Sequence, residues 1–255
     1  MINKNNLEKN GYTVLKTSKK ISQIIKKAIT KDIGNKFPQI KFKTLDSQIK
    51  YILRLSDSEF NHKFGDNAKR ILDFQTNNKI NIWIKSKIKK KLNCQKISLN
   101  FISENDLKIN NKLSRRQFSV FYRVVRNNKN DVGFPHRDSS FWKLGKFYQR
   151  KAPFEYKKRW KFWIPIAGVN KKNCLRIIKN SHHDNIDLIY KKVKRHLKPS
   201  IPKKYLKKNY KNIITPLKKF NGSEGILFHD DTVHFGPKNS SSNCRLSAEF
   251  NILTS

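Results

Sequence analysis

Acidic residues are scarce in this chain. Its 255 residues carry 18 Asp+Glu against 57 Lys+Arg, a formal net charge of +39 at pH 7. Cysteine is scarcer still: Cys94, Cys174 and Cys244 stand far apart with no Cys-x-x-Cys, which argues against a disulfide framework and a zinc knuckle and suits a reducing, cytoplasmic setting. No run of about 18 apolar residues occurs, so no transmembrane helix is expected. The opening residues MINKNNLEKNGYTVLK hold no apolar stretch, and no secretory signal is expected from them. There is no Gly-x-x-x-x-Gly-Lys-[Ser/Thr], no Gly-x-Gly-x-x-Gly and no Asp-Phe-Gly, which removes the P-loop and dinucleotide folds and, despite an His-Arg-Asp at 136–138, the protein kinases. No internal repeat of 20–50 residues is present, which excludes solenoids and propellers.

Apolar and aromatic residues are plentiful enough for a core: 36% hydrophobic, with 17 Phe, 8 Tyr and 4 Trp. The length suits one large domain, and residues 1–255 are read as one. Lysine outnumbers arginine 45 to 12 beside 28 Asn and 28 Ile, the mix an AT-rich coding bias produces. Such a bias leaves Asp and Glu untouched, so the excess positive charge has a physical meaning. It concentrates anionic partners near the surface: nucleic acid, phosphorylated sugars, lipid headgroups, acyl thioesters.

Periodicity divides the chain near residue 97. Before it, Ile21, Ile24, Ile25, Ala28 and Ile29 form a helical stripe, and residues 45–56, 67–75 and 79–92 also read as helical. Residues 8–16 read as a turn and a short strand. After residue 97, the segments 97–103, 117–126, 160–166, 174–178, 225–229 and 244–252 are β-branched and aromatic, with turn-rich pieces between them. Short strands punctuated by turns predict a sandwich or barrel. Two insertions interrupt this half. Residues 139–159 are basic and aromatic, and residues 186–219 are basic and broken by Pro199, Pro202 and Pro216. Both are candidate substrate loops; the plainer reading is solvated surface.

Seven histidines supply the chemistry. A His-x-Asp pair with a later His is the ligand set of the facial triad, whose three donors leave half of an octahedral iron open. Composition alone gives well under one His-x-Asp by chance, yet three occur: His136/Asp138, His182/Asp184 and His229/Asp231. Context selects among them. His136/Asp138 follows a strand and a turn, and two strand candidates separate it from His234. His182/Asp184 sits in the turn Asn-Ser-His-His-Asp-Asn, with only the basic insertion before His229. The expected metal ligands are therefore His136, Asp138 and His234, with residues i and i+2 of a strand on one face.

Eleven residues after His234, Arg245 lies in a strand-like segment with Ser247 on the same face. An inward arginine is costly unless an anion pairs with it, and a dicarboxylate co-substrate is such an anion, bound bidentately. An exposed edge-strand arginine is the other reading at this stage.

The segments His136-Arg137-Asp138, Val233–Phe250 and Asn173–His183, with the opening Glu8–Lys16, resemble the Fe(II)/2-oxoglutarate dioxygenases of the phytanoyl-CoA dioxygenase-like group. The resemblance spans nearly the whole chain through short motifs. Asn173-Cys174 departs from a glycine usual there, and Lys179-Asn180 replaces Pro-Gly before Ser181-His182. The resemblance implies a double-stranded β-helix (a jelly-roll, cupin-like core, residues 97–255) with residues 1–96 as flanking helices. It implies Fe(II) on His136, Asp138 and His234, the distal carboxylate of 2-oxoglutarate on Arg245 with Ser247, and Trp163 against the co-substrate, where a packed core Trp is an equal reading. Related halogenases carry Gly or Ala at the Asp138 position, so the aspartate resembles the hydroxylases. The implied reaction turns 2-oxoglutarate, O₂ and substrate into succinate, CO₂ and hydroxylated product, with no catalytic group beyond the metal ligands.

Phe141, Trp142, Tyr148 and Arg150 are candidate substrate contacts, and with the basic insertions they suggest a small anionic substrate. A basic nucleic-acid-binding protein without catalysis is the alternative of another class. A nucleic-acid-modifying dioxygenase is a third, disfavoured because such enzymes show a second arginine where this chain has Asn251.

Overall fold

Isoleucines spaced four apart build the first layer. Ile21, Ile25, Ile29 and Ile33 recur close to the helical repeat and are buried along one face of Lys19–Lys36, whose first turn is capped by Ser18 Oγ accepting from Ile21 N at 3.1 Å. The computed structural model describes residues 4–64, 69–73, 78–98, 119–127, 129, 131–143, 158–193 and 196–255. Its helices are α1 (Lys4–Asn10), α2 (Lys19–Lys36), α3 (Leu45–Arg54), α4 (Asp57–Phe64), α5 (Asn78–Leu92), α6 (Asp138–Lys143) and α7 (Lys203–Lys208). Thr44 and Ser47 cap α3 reciprocally, each side chain accepting from the other's backbone N–H.

The strands are β1 (Tyr12–Lys16), β2 (Lys69–Asp73), β3 (Ile97–Ser98), β4 (Ser119–Val125), β5 (Lys158–Ala167), β6 (Arg176–Ile178), β7 (Ile189–Val193), β8 (His196–Ser200), β9 (Ile213–Ile214), β10 (Glu224–His229), β11 (His234–Phe235) and β12 (Arg245–Thr254). The large sheet runs β1-β10-β5-β12-β4-β2, with β3 also on β12, and every pairing is antiparallel. A small sheet, β11-β6-β9, carries the second layer, and β7-β8 is a separate hairpin.

Strand alternation sorts the large sheet into two faces. On β5 and β12, Trp160, Phe162, Ile164, Ile166, Leu246, Ala248, Phe250 and Ile252 pack against the helices. Trp163 faces the opposite way, into a second cluster with Cys174, Ile177, Ile226 and Phe228 between the two sheets. Arg159 and Lys161 alternate with the helix-facing set on β5, as do Arg245, Ser247 and Glu249 on β12. The buried charged groups of these two strands, Lys161, Arg245 and Glu249, thus share one face. Phe162 sits fully buried where β5 meets the helices and packs on Phe250 and Trp83. Phe162→Ala is expected to cost about 3–5 kcal/mol of stability in urea unfolding; a loss under about 1 kcal/mol would show that helices and sheet are not one cooperative core.

Some sequence expectations are corrected. Residues 69–73 form strand β2, not a helix: the segment is short for helix nucleation, and pairing along β4 from Lys69↔Arg123 to Asp73↔Ser119 satisfies its backbone. Residues 8–10 are the end of α1, not a turn. The turn is Gly11 alone, whose φ of +76° closes the helix with Gly11 N donating to Leu7 O. Residues 186–219 hold the β7-β8 hairpin and α7 rather than a structureless loop. Of the strand expected over 97–103, Ile97–Ser98 is seen and residues 99–103 lie outside the described set, as do 144–157 of the aromatic insertion.

Candidate active site

His136 and His234 are brought together by backbone. They form an antiparallel bridge, His136 N donating to His234 O at 3.2 Å and His234 N to His136 O at 3.0 Å. Asp138 is the first residue of α6, so the ligand pair expected on one strand is a bridge residue followed by a helix start. Arg137, between them, points away, its guanidinium donating to the carbonyls of Ser181 and Asp184. It ties the ligand segment to the Ser181–His183 turn. Ser181 Oγ in turn accepts from Val233 N at 2.9 Å, beside His234.

The hydrogen bonds fix both imidazoles. His136 Nδ1 lies 2.6 Å from Phe134 O, and His234 Nδ1 lies 2.9 Å from Thr232 O. A carbonyl only accepts, so each Nδ1 donates, which leaves each Nε2 as the atom that can face a metal. Both Nε2 atoms stand 3.7 Å from the same oxygen, Asp138 Oδ1. Cis donors around a divalent ion, with bonds near 2.1 Å, are about 3 Å apart, so a small inward closure forms the set. Two imidazoles and one carboxylate are the donors that suit Fe(II) with open positions. Phe141 packs edge-on against His136 at 5.2 Å between ring centroids, and Phe228 flanks His234 at 4.7 Å.

Electrostatics keep these donors ready. Burial pushes the His234 imidazole down to about 3, despite Asp138 beside it. Burial pushes the Asp138 carboxyl up, but Lys161 and the two histidines outweigh it and hold it well below 3.8. Burial likewise takes His229 down to about 4. The unfolded chain therefore takes up protons that the folded chain refuses, and stability falls as pH drops from about 6.5 towards 3. Asp230, pushed up to about 7 by burial even with Arg159 3.0 Å away, offsets part of this between pH 7 and its ordinary range near 3.8. The urea midpoint of metal-free protein should be lower at pH 4.5 than at pH 7; an equal or higher midpoint at pH 4.5 would contradict neutral, buried imidazoles.

Arg245 is 3% exposed on the central strand β12, which removes the exposed-edge reading. One Nη donates to Asn173 O, and Nε has no hydrogen-bond partner among the described residues. Burial, with Arg123 nearby, takes its pKa down to about 10. Gly236 makes the space: a Cβ there would meet the guanidinium at 2.5 Å. Ser247 is 1% exposed on the same face. An inward, underpaired guanidinium calls for an anion.

The comparisons with known proteins agree. The family model for phytanoyl-CoA dioxygenase (PhyH) matches residues 7–247. The chain belongs to the phytanoyl-CoA dioxygenase family. No curated protein matches it in sequence. Among solved structures it is similar to EctD from S. alaskensis with 2-oxoglutarate and 5-hydroxyectoine, at 13% identity and a TM-score of 0.59 over 98% of this chain and 74% of that one. The Fe-bound EctD gives 12% identity and a TM-score of 0.57, over 98% and 75% of the two chains. SnoK, an alpha-ketoglutarate-dependent carbocyclase from nogalamycin biosynthesis, gives 11% and 0.52 over 98% and 82%. At these identities the likeness speaks for the fold, the double-stranded β-helix.

The family's departures in this chain are structurally quiet. Asn180 replaces the turn glycine and takes φ +64°, a left-handed conformation asparagine tolerates. Asn173, fully buried, donates from Nδ2 to Gly168 O, Asn239 Oδ1 and Ser241 Oγ, so it ties two loops together.

The rival His182/Asp184 pair joins no metal-capable cluster among the described residues; a second cluster does form, from His229, Asp230 and Asp231. Its donors are engaged: His229 Nδ1 accepts from Asp231 N at 3.2 Å, and Asp230 pairs with Arg159. Trp163 is in the inter-sheet cluster. The side chain of Trp142, and all of Tyr148 and Arg150, lie outside the described residues. Sequence reasoning missed Lys161 and Glu249. Only strict alternation, Lys161 two before Trp163 and Glu249 two after Ser247, marks them as interior.

Proposed function

We propose that this protein is an Fe(II)- and 2-oxoglutarate-dependent oxygenase that hydroxylates a small anionic metabolite, working as one domain in the cytoplasm. The observation that carries the reading is the pairing, inside one barrel, of three convergent imidazole and carboxylate donors with a buried, underpaired arginine. Iron and 2-oxoglutarate, present in the EctD structures, would supply oxidative decarboxylation to succinate and CO₂ coupled to oxidation of a substrate C–H bond.

In this reading His136 Nε2, His234 Nε2 and Asp138 Oδ1 hold the metal. The carbonyls of Phe134 and Thr232 lock the two rings. Arg245 binds the distal carboxylate of 2-oxoglutarate, with Ser247 as a hydroxyl donor. Trp163 walls the co-substrate side, and Phe141 and Phe228 keep water from the imidazoles. Substrate would approach on the side of Asp138 bordered by Arg159, Trp160, Asp230 and Asn251. Phe141, Trp142, Tyr148 and Arg150 are proposed as substrate-binding residues, and the net charge to draw in an anion.

The test is succinate formation from 2-oxoglutarate under air with added Fe(II), alone and with candidate anions. The proposal expects slow uncoupled release, stimulated by the correct anion and weakened by salt. No 2-oxoglutarate consumption by folded, iron-loaded protein would overturn it.

A further inference from the structure

Lys161 is an unexpected residue for its place. It is 7% exposed on the inward face of β5, with Nζ 2.7 Å from Asp138 Oδ2 and 3.6 Å from Glu249 Oε2. Glu249, 6% exposed on β12, is held from its other side by Arg123 of β4, Nε to Oε1 3.4 Å. Charges thus alternate across three adjacent strands, Arg123–Glu249–Lys161–Asp138, and the row ends on a carboxylate of the metal set. A buried chain of this kind is costly unless every member is paired, and here each is. The two oxygens of Asp138 are thereby made different: Oδ1 faces both His Nε2 atoms, and Oδ2 faces the ammonium.

We propose that Lys161 is a positioning residue that keeps Asp138 a one-oxygen ligand, so that the positions needed by the co-substrate stay open. This rests on the dioxygenase reading. The argument is coordination arithmetic. Carboxylates bind ions through one oxygen or two. Three protein donors occupy half of an octahedral metal. A co-substrate chelating through two oxygens needs two of the three open positions, and a second Asp138 oxygen competes with it for them and weakens the chelate. An ammonium salt-bridged to Oδ2, and itself fixed by Glu249, withholds that oxygen. Arginine presents a donor to the same oxygen, and methionine fills the space without one.

The experiment is anaerobic calorimetry on metal-free protein, titrating Mn(II) and then 2-oxoglutarate into the Mn(II)-loaded form, for wild type, Lys161→Met and Lys161→Arg. Lys161→Met is expected to bind Mn(II) at least as tightly as wild type, since a cation has left the site. Its 2-oxoglutarate affinity should fall about 10-fold or more, the scale of outer-shell losses, and Lys161→Arg should restore most of it. Unchanged 2-oxoglutarate affinity in Lys161→Met overturns the proposal. So does joint loss of both ligands by a folded variant, the mark of a merely structural role. If Lys161→Met does not fold, the infrared carboxylate bands of wild type decide. Mn(II) loading should give the wide splitting of a one-oxygen ligand in the band missing from Asp138→Asn, and a narrow, chelating splitting overturns the proposal. Failure of Mn(II)-loaded wild type to bind 2-oxoglutarate would instead count against the dioxygenase reading itself.

Discussion

His136→Ala should reduce succinate formation by more than about 100-fold, because even outer-shell partners of metal ligands are worth about 10–100-fold. The fold should survive. The His136–His234 bridge is made by backbone N–H and C=O groups, which alanine keeps, and the lost ring contacts involve Phe141 and His234 at the site alone. Circular dichroism and the urea midpoint should stay near wild type while Mn(II) binding collapses. Substantial turnover by a folded His136→Ala protein would mean that the metal sits elsewhere. The engaged donors at His229 and Asp230 make that site a poor substitute.

Arg245→Met should show opposite effects on function and stability. With no anion bound, a guanidinium that is 3% exposed and underpaired is a cost to the folded state. Replacing it with an apolar chain of similar length should hold or raise the stability of ligand-free protein. The co-substrate then loses its bidentate partner. Removing one member of a buried charge pair costs about 2–5 kcal/mol, or roughly 30-fold and more in KM for 2-oxoglutarate. A stabilised protein with a much raised KM is the expected pair of results. An unchanged KM would remove Arg245 from the co-substrate site, and a large loss of stability would make it a structural cation.

The fold was legible where strands and helices carry their own period. The isoleucine stripe of α2 and the β-branched runs of β4, β5, β10 and β12 stand in the composition of each segment. Strand was mistaken for helix at 69–73 because five residues hold too few repeats to separate the two periods, and the deciding partner, β4, lies about 50 residues away. The metal-capable cluster was legible through spacing, His-x-Asp and a distal His, and the Arg eleven residues later is buried as its strand position implied. Lys161 and Glu249 were not, since a buried ion pair between β5 and β12 depends on strand register, Asn251 opposite Lys161 and Glu249 opposite Trp163. In a chain with 45 lysines, one inward lysine gives no signal of its own. Asn180 shows the converse. It breaks the family's Pro-Gly motif and keeps its geometry, because what the turn requires is a positive φ.

The most direct test is an anaerobic thermal shift of metal-stripped protein with Mn(II), with 2-oxoglutarate, and with both. A ligand that binds only the folded state stabilises it by about 2.7 kcal/mol at a hundredfold excess over Kd. The account predicts a modest shift with Mn(II), none with 2-oxoglutarate alone, and the largest with both, lost in His136→Ala. Equal stability in all three conditions, in a protein that unfolds cooperatively, would contradict it.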